Sequence, residues 1–146
     1  MREIDDRYLD GTRLRLRRMA EVDGPTQLKL TQKLPAPDDR GRQGALTTLY
    51  LSEPEHAALA LVPAAELRKS RLSVAPYGID VFHGALDGLV LAEAEFASVE
   101  EAAALRPAAF CWAEVTADRR FTGGELARAS GDHVRAWALE YGVDLG

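Results

Sequence analysis

Residues 12–19 read TRLRLRRM, a stretch in which leucine and arginine alternate. Side chains two residues apart on a β-strand point to the same face of the sheet. Arg13, Arg15 and Arg17 therefore line one face of a predicted strand, and the leucines between them line the other. A period of two over this length favours a half-buried strand over a helix.

Two further stretches repeat this design of cations on one strand face and apolar residues on the other. In QLKLTQKL, Lys29 and Lys33 share a face, and in LRKSRLSV, Lys69 and Arg71 share a face. Arginine offers a fork of donors that matches phosphate oxygens, and lysine offers a compact positive charge. Three cationic strand faces in one small chain suggest a site for an anion with several charges.

The sign of the charge reverses in the stretch LVLAEAEF. Glu93 and Glu95 share a strand face there, and Asp80 and Glu114 lie on predicted strands on either side in the sequence. Carboxylates are hard oxygen ligands, which favours Mg²⁺ or Mn²⁺ over zinc at such a cluster.

The remaining elements predict more strand than helix. Strands are predicted at residues 12–19, 27–34, 46–51, 67–74, 78–83, 89–96 and 110–116. Helices are predicted at residues 53–61, 102–105 and 132–141, with a short turn from Thr122 through residues 126–128. The segment 35–44, PAPDDRGRQG, is rich in turn-forming residues and predicts a loop. Ser52 and Ser98 are each followed three residues later by glutamate, the signature of a capping box at a helix start.

Composition limits the class of protein. A chain of 146 residues suits a single domain, here residues 1–146, and 47% hydrophobic residues are ordinary for a soluble globular protein. The one cysteine, the charged N-terminus and the absence of a long apolar run indicate a cytoplasmic protein with no signal peptide and no membrane association. A formal net charge of -5 argues against general nucleic-acid binding.

The distribution of charge says more than its sum. Residues 7–33 hold seven Lys/Arg and three Asp/Glu, whereas residues 76–118 hold one Lys/Arg and eight Asp/Glu. If the leucine faces pack outward, the charged faces line an interior, which is costly unless a polyanion and a divalent metal fill it. The alternative is that each charged face is simply solvated, which is ordinary for any one such strand.

Several segments in order resemble CYTH proteins, the triphosphate tunnel metalloenzymes. The segments are DRYLDGTRLRLRRM, KLTQK, KSRLSV, DVFHGALDGLVLAEAEF and AEVTADRRFTGGELA, and they extend from Asp6 to Ala127. The resemblance implies an α+β fold in which a strongly curved antiparallel sheet forms a β-tunnel with helices outside. It also implies hydrolysis of inorganic, thiamine or nucleoside triphosphates, or adenylate cyclase activity on ATP.

The resemblance also implies roles for individual residues. Phosphate-binding residues would be Arg13, Arg15, Lys29, Lys69 and Arg71, with Arg17 and Lys33 as weaker matches at the tunnel mouth. The metal ligands for Mg²⁺ or Mn²⁺ would be Glu93 and Glu95, joined by Asp80 and Glu114. Glu93, Glu95 and Lys69 would be the catalytic residues, and inorganic triphosphate is the simplest substrate.

One departure from the family pattern concerns its first strand. The family begins with an ExExK strand, whereas this sequence begins with MREIDDRYLDG, and Glu3 and Asp5 directly precede the RYL segment. We therefore expect the family's first strand to be missing, through a misplaced start codon or through loss in this lineage. The tunnel would then be partly open, with an unpaired edge that favours a homo-oligomer. The alternative to a hydrolase is a non-catalytic protein that binds polyphosphate or a phosphorylated ligand.

Overall fold

The computed structural model of the chain describes residues 1–34 and 45–146. The predicted α+β class is confirmed, with seven strands in one antiparallel sheet. The strands are β1 (Arg2–Leu9), β2 (Leu14–Glu21), β3 (Thr26–Lys33), β4 (Leu46–Tyr50), β5 (Ala64–Val74), β6 (Tyr77–Phe82) and β7 (Val90–Ala94). Their order in the sheet is β4-β3-β2-β1-β5-β6-β7.

Four α-helices accompany the sheet in the described part of the chain. They are α1 (Glu53–Leu59), α2 (Val99–Ala104), α3 (Gly123–Leu126) and α4 (Gly131–Glu140), with 3-10 turns at Gly84–Leu86 and Arg119–Phe121. Ser52 accepts from the backbone N–H of Glu55, and the Glu55 carboxylate accepts from the Ser52 N–H, which completes the predicted capping box of α1. Among the described residues, no helix has the length and apolar character needed to cross a membrane.

The strand β1 is the main difference from the sequence-based prediction, which placed no strand before residue 12. Arg2–Leu9 lies at the centre of the sheet, antiparallel to both β2 and β5. The sequence pattern did not predict this strand, because acidic residues interrupt the alternation of apolar and polar residues that is typical of a strand. The structure pairs these charges across the strands, so β1 is stable where its own composition does not favour a strand.

The strand register divides the side chains between two faces. Residues directly opposite one another in an antiparallel pair point to the same side. Asp6 is opposite Arg17, Arg17 is opposite Lys29, and Arg71 is opposite Asp80. We call the side that carries Arg17, Lys29 and Arg71 the basic face and the other side the opposite face.

The main hydrophobic core covers one end of the basic face. It contains Leu67 and Phe82 from the sheet, together with Leu126 of α3 and Val134 of α4. The tight approach of α3 to the sheet requires glycine, because a Cβ on Gly123 would lie 2.1 Å from the Tyr8 hydroxyl. The helices α3 and α4 therefore pack on the apolar end of the basic face, on the same side of the sheet as its cations.

Two other sequence-based predictions have different outcomes. Residues 110–116 form no strand, because no neighbouring strand pairs with them. The loop predicted at residues 35–44 lies outside the described residues. The described sheet is not closed, since β4 and β7 form its two edges and do not pair with each other.

Candidate functional site

The basic face carries more positive than negative side chains. Within the described strands, its cations are Arg2, Arg15, Arg17, Lys29, Lys33, Lys69 and Arg71, and its carboxylates are Asp6, Glu21, Asp80 and Glu93. The opposite face of these strands carries Arg7, Arg18 and Arg68 against Glu3, Asp5 and Glu66. The charges of the opposite face thus balance, and the excess of cations is confined to the basic face.

Asp80 is the centre of the most buried charged cluster on this face. Its side chain is fully buried, and its two oxygens accept from Lys69 Nζ at 2.5 Å, Arg71 Nε at 2.5 Å and Arg71 Nη2 at 2.6 Å. The Lys69 ammonium also lies 5.5 Å from the centre of the Phe82 ring. One carboxylate neutralises one of the two cations, so these three residues retain a net positive charge.

The ionisation of this cluster follows from its contacts. Burial raises the pKa of Asp80, but the hydrogen bonds from Arg71 and the charge of Lys69 outweigh burial and hold that pKa below its usual value. The hydrogen bond to Asp80 raises the pKa of Arg71 against the opposing effect of burial. Asp80 and Arg71 are therefore both charged at neutral pH.

Asp6 forms a second buried ion pair beside the first. Arg17 donates from Nε and Nη2 to the two Asp6 oxygens, each at 2.7 Å. Arg15 Nε lies 3.7 Å from Asp6 Oδ1, and this buried nitrogen has no hydrogen-bond partner in the described part of the structure. An unpaired buried N–H is costly. Arg17 engages Nε and Nη2 in this two-point contact, whereas the Arg15 side chain, which is 29% exposed, makes only the longer contact with Asp6.

Three predicted cations lie on β3 or beside its end, next to the edge strand β4. Lys29 Nζ lies 5.2 Å from the centre of the Tyr50 ring, and Lys33 is exposed at the end of β3. Arg13 precedes β2, and its carbonyl accepts from the Lys33 N–H. Within the described residues, none of the three cations forms an ion pair with a carboxylate.

A polar cleft opens at the end of the basic face farthest from the core. It has a volume of about 240 Å³ and is lined in part by Arg2, Glu21, Arg71 and Ser73. Arg2 donates from Nε to Glu21 at 2.9 Å. Arg2 and Arg71 are opposite one another in the pairing of β1 with β5, so two cations meet at this cleft.

Arg71 reaches this end of the face by crossing β6. A Cβ on Gly78 would lie 3.6 Å from both Cδ and Nε of Arg71, so the side chain lies directly over that glycine. Glu93 is opposite Gly78 on β7 and accepts from Arg71 Nη2 at 2.7 Å. The Glu93 side chain is 59% exposed, in contrast to Asp80.

The four predicted metal ligands do not converge. Asp80 is occupied by Lys69 and Arg71, Glu93 contacts Arg71, and Glu95 follows the end of β7. Glu114 is exposed in the irregular segment after α2. No group of three or more His, Cys, Asp or Glu side chains in the described residues is arranged to hold a metal ion. The residues as arranged do not fit the Mg²⁺ or Mn²⁺ that the resemblance implies.

The structure also identifies residues that the sequence pattern missed. Asp6 and Arg2 both lie on β1, which was not predicted as a strand. The sequence does contain a period of two here, because Arg2, Ile4, Asp6 and Tyr8 alternate with the charged residues at positions 3, 5 and 7. Both sets contain charged residues, so this alternation does not show which face is buried. The buried ion pairs become evident only when the pairing with the neighbouring strands is known.

The predicted phosphate-binding residues do come together in part. Arg15, Lys29, Lys69 and Arg71 all lie on the basic face, and Arg13 lies at the end of β2. No family model matches the chain, and no curated protein or solved structure is significantly similar to it. The resemblance to CYTH proteins therefore stays a prediction, and the function is argued from the geometry of the basic face alone.

Proposed function

We propose that the basic face binds a linear polyanion of phosphate groups, such as inorganic triphosphate or a longer polyphosphate. The observation that carries this proposal is that the described strands place seven cations and four carboxylates on one face of the sheet, whereas the charges of their opposite face balance. A solvated surface needs no such difference between its two sides, whereas a site for a multiply charged anion does.

The donors that remain available support phosphate as the ligand. Lys69 has three N–H donors, and its contact with Asp80 engages one of them. Arg71 engages Nε and Nη2 and keeps its second terminal nitrogen for a ligand. Arg15, whose side chain is 29% exposed, adds a third cation on the same face. Charged N–H donors held in position by buried carboxylates match the oxygens of a phosphate chain.

The spacing of the cations favours a chain of phosphates over a single anion. Lys29, Arg17 and Arg71 lie on β3, β2 and β5, with β1 between the last two. Neighbouring strands are about 4.8 Å apart, so three steps span about 14 Å along the sheet. A ligand whose negative charge repeats along its length can contact cations on several strands, and a monovalent anion cannot.

Triphosphate should bind to the protein without any divalent metal, and added salt should weaken the binding. Apart from the buried Lys69, the cations of the basic face are partly or fully exposed, and mobile ions screen such contacts over about 8 Å at physiological ionic strength. Isothermal calorimetry with inorganic triphosphate in the presence of a chelator measures the affinity, and a salt series measures its decline. A parallel rise in melting temperature is expected, since a ligand that binds only the folded state stabilises it. No heat and no thermal shift at low salt would contradict the proposal.

Metal-dependent hydrolysis of a triphosphate compound is the second candidate function. The observation that favours it is Glu93, an exposed carboxylate on the same face as Lys69 and Arg71. A hydrolase of this class would use Mg²⁺ or Mn²⁺ to neutralise charge on the transferred phosphoryl group. An adenylate cyclase-like reaction on ATP would need the same contacts between the cations of the basic face and the phosphates.

Phosphate release from triphosphate should be slow for this arrangement of carboxylates. Mg²⁺ requires a near-octahedral set of oxygen ligands, and the described residues bring no three carboxylates together. The measurement is phosphate release from triphosphate, ATP and thiamine triphosphate with each metal. Turnover in the common enzymatic range of about 1 to 1,000 per second would show that the carboxylates regroup around a metal when ligand is bound.

A further inference from the structure

We infer that Glu93 competes with the anionic ligand for Arg71. The Glu93 carboxylate occupies Arg71 Nη2 until a phosphate group takes its place. This inference rests on the proposed function, because it concerns regulation of the same basic face. We call the contact between Arg71 Nη2 and Glu93 the Glu93 latch.

The geometry gives Arg71 two carboxylate partners of different character. Asp80 is fully buried and accepts from both Nε and Nη2 of Arg71. Glu93 is 59% exposed and accepts from Nη2 alone at 2.7 Å. An exposed single contact is weak and screened by salt, whereas a buried two-point contact is not. A ligand therefore displaces Glu93 and leaves Asp80 in place.

The Glu93 latch depends on the absence of a side chain at Gly78, because Arg71 crosses β6 at this residue. The side chain lies over Gly78, where Cδ and Nε would be 3.6 Å from a Cβ. A longer side chain at this position would stand between Arg71 on β5 and Glu93 on β7. Arg71 also lines the cleft with Arg2, so Glu93 contacts one of the two cations that meet there.

The contacts of Glu93 favour competition with the ligand over a role as a metal ligand. A metal site needs further oxygen or nitrogen ligands next to Glu93, and the described residues contain no such group of three. Glu95 lies beyond the end of β7 and is exposed. The partner of Glu93 is the Arg71 guanidinium, a group that would also bind a phosphate.

The test compares E93Q with E66Q, which makes the same chemical change at an exposed carboxylate on the opposite face that also pairs with an arginine, Arg7. In calorimetry with inorganic triphosphate and a chelator, E93Q should bind about 3- to 5-fold more tightly than the wild type, because the competing carboxylate is removed. E66Q should stay within about 2-fold of the wild type, since Glu66 points away from the basic face. Equal affinities for E93Q and wild type would overturn the latch while leaving the proposed binding function intact.

A second measurement needs no ligand and therefore separates the two proposals. Phenylglyoxal modifies accessible guanidinium groups, and peptide mass spectrometry reports its reaction with Arg71. Modification of Arg71 should be several-fold faster in E93Q than in wild type or E66Q. If this increase is seen but no variant binds triphosphate, the closed contact is supported and the proposed function fails. If Mg²⁺ strengthens triphosphate binding in wild type and E66Q but not in E93Q, Glu93 is a metal ligand and the latch is wrong.

Discussion

Replacing Asp80 with asparagine should lower the free energy of unfolding by about 3 to 5 kcal/mol, the largest loss we expect from any single change in this chain. Asp80 is fully buried, and its carboxylate is the shared acceptor for Lys69 and Arg71. The D80N variant keeps the volume of the side chain and removes the charge, which leaves two cations held next to a neutral group. Urea unfolding followed by circular dichroism measures the change.

The matched control is D132N, the same substitution at a surface ion pair. Asp132 is 90% exposed and pairs with Arg135 three residues later, so its loss should cost no more than about 1 kcal/mol. A D80N loss as small as that of D132N would show that the buried cluster contributes little to stability.

The same carboxylate gives the protein a specific response to acid. The pKa of Asp80 in the folded state lies below its usual value, because the cations favour its ionised form despite burial. Its contribution to stability is therefore fully present above the unfolded pKa of about 3.9 and is lost as pH falls through the lower, folded pKa. The D80N variant should lack this part of the acid dependence.

Replacing Arg71 with glutamine should weaken triphosphate binding by about 10- to 100-fold, as expected when a charged hydrogen-bond donor to the ligand is removed. Arg71 sits between Asp80 and Glu93 and lines the cleft at the open end of the basic face. Calorimetry on the folded variant measures the loss directly and avoids confusion with a change in melting temperature.

Arg68 provides the control on the same strand. It is opposite Asp5 in the pairing of β1 with β5, so it points to the opposite face, and its side chain is 73% exposed. The R68Q variant removes the same charge from β5 without touching the basic face, and we expect triphosphate affinity to change by less than about 2-fold. Equal losses in R71Q and R68Q would mean that the anion responds to overall charge and not to the basic face.

The period of two in the sequence predicted the strands in which apolar and charged residues alternate. The leucine and arginine alternation in β2 places Arg15 and Arg17 on one side and Leu16, which is fully buried, on the other. The same reasoning placed Lys29, Lys69 and Arg71 correctly on shared strand faces. Period-two patterns are informative here because one face of each strand is apolar enough to identify the other.

The remaining features depend on pairing between distant segments. Asp6 is stable in the interior only because Arg17 lies opposite on the next strand, and nothing within β1 reveals this. Residues 110–116 have the apolar composition of a strand but no neighbour in the sheet to pair with. The predicted metal cluster added Asp80 and Glu114 to Glu93 and Glu95. The cations of β5 already occupy Asp80, and Glu114 lies outside the sheet.

The central position of β1 means that the basic face is assembled from two separate hairpin ribbons. β2, β3 and β4 follow one another in sequence and pair with each other, as do β5, β6 and β7, and only β1 hydrogen-bonds to both groups. Arg17 and Lys29 belong to the first ribbon, and Lys69 and Arg71 belong to the second. Contacts between segments far apart in sequence form slowly, because a long loop must close first. The two halves of the candidate site therefore meet only when the first strand of the chain has docked against the fifth, which makes the site a product of the complete fold and not of either ribbon alone.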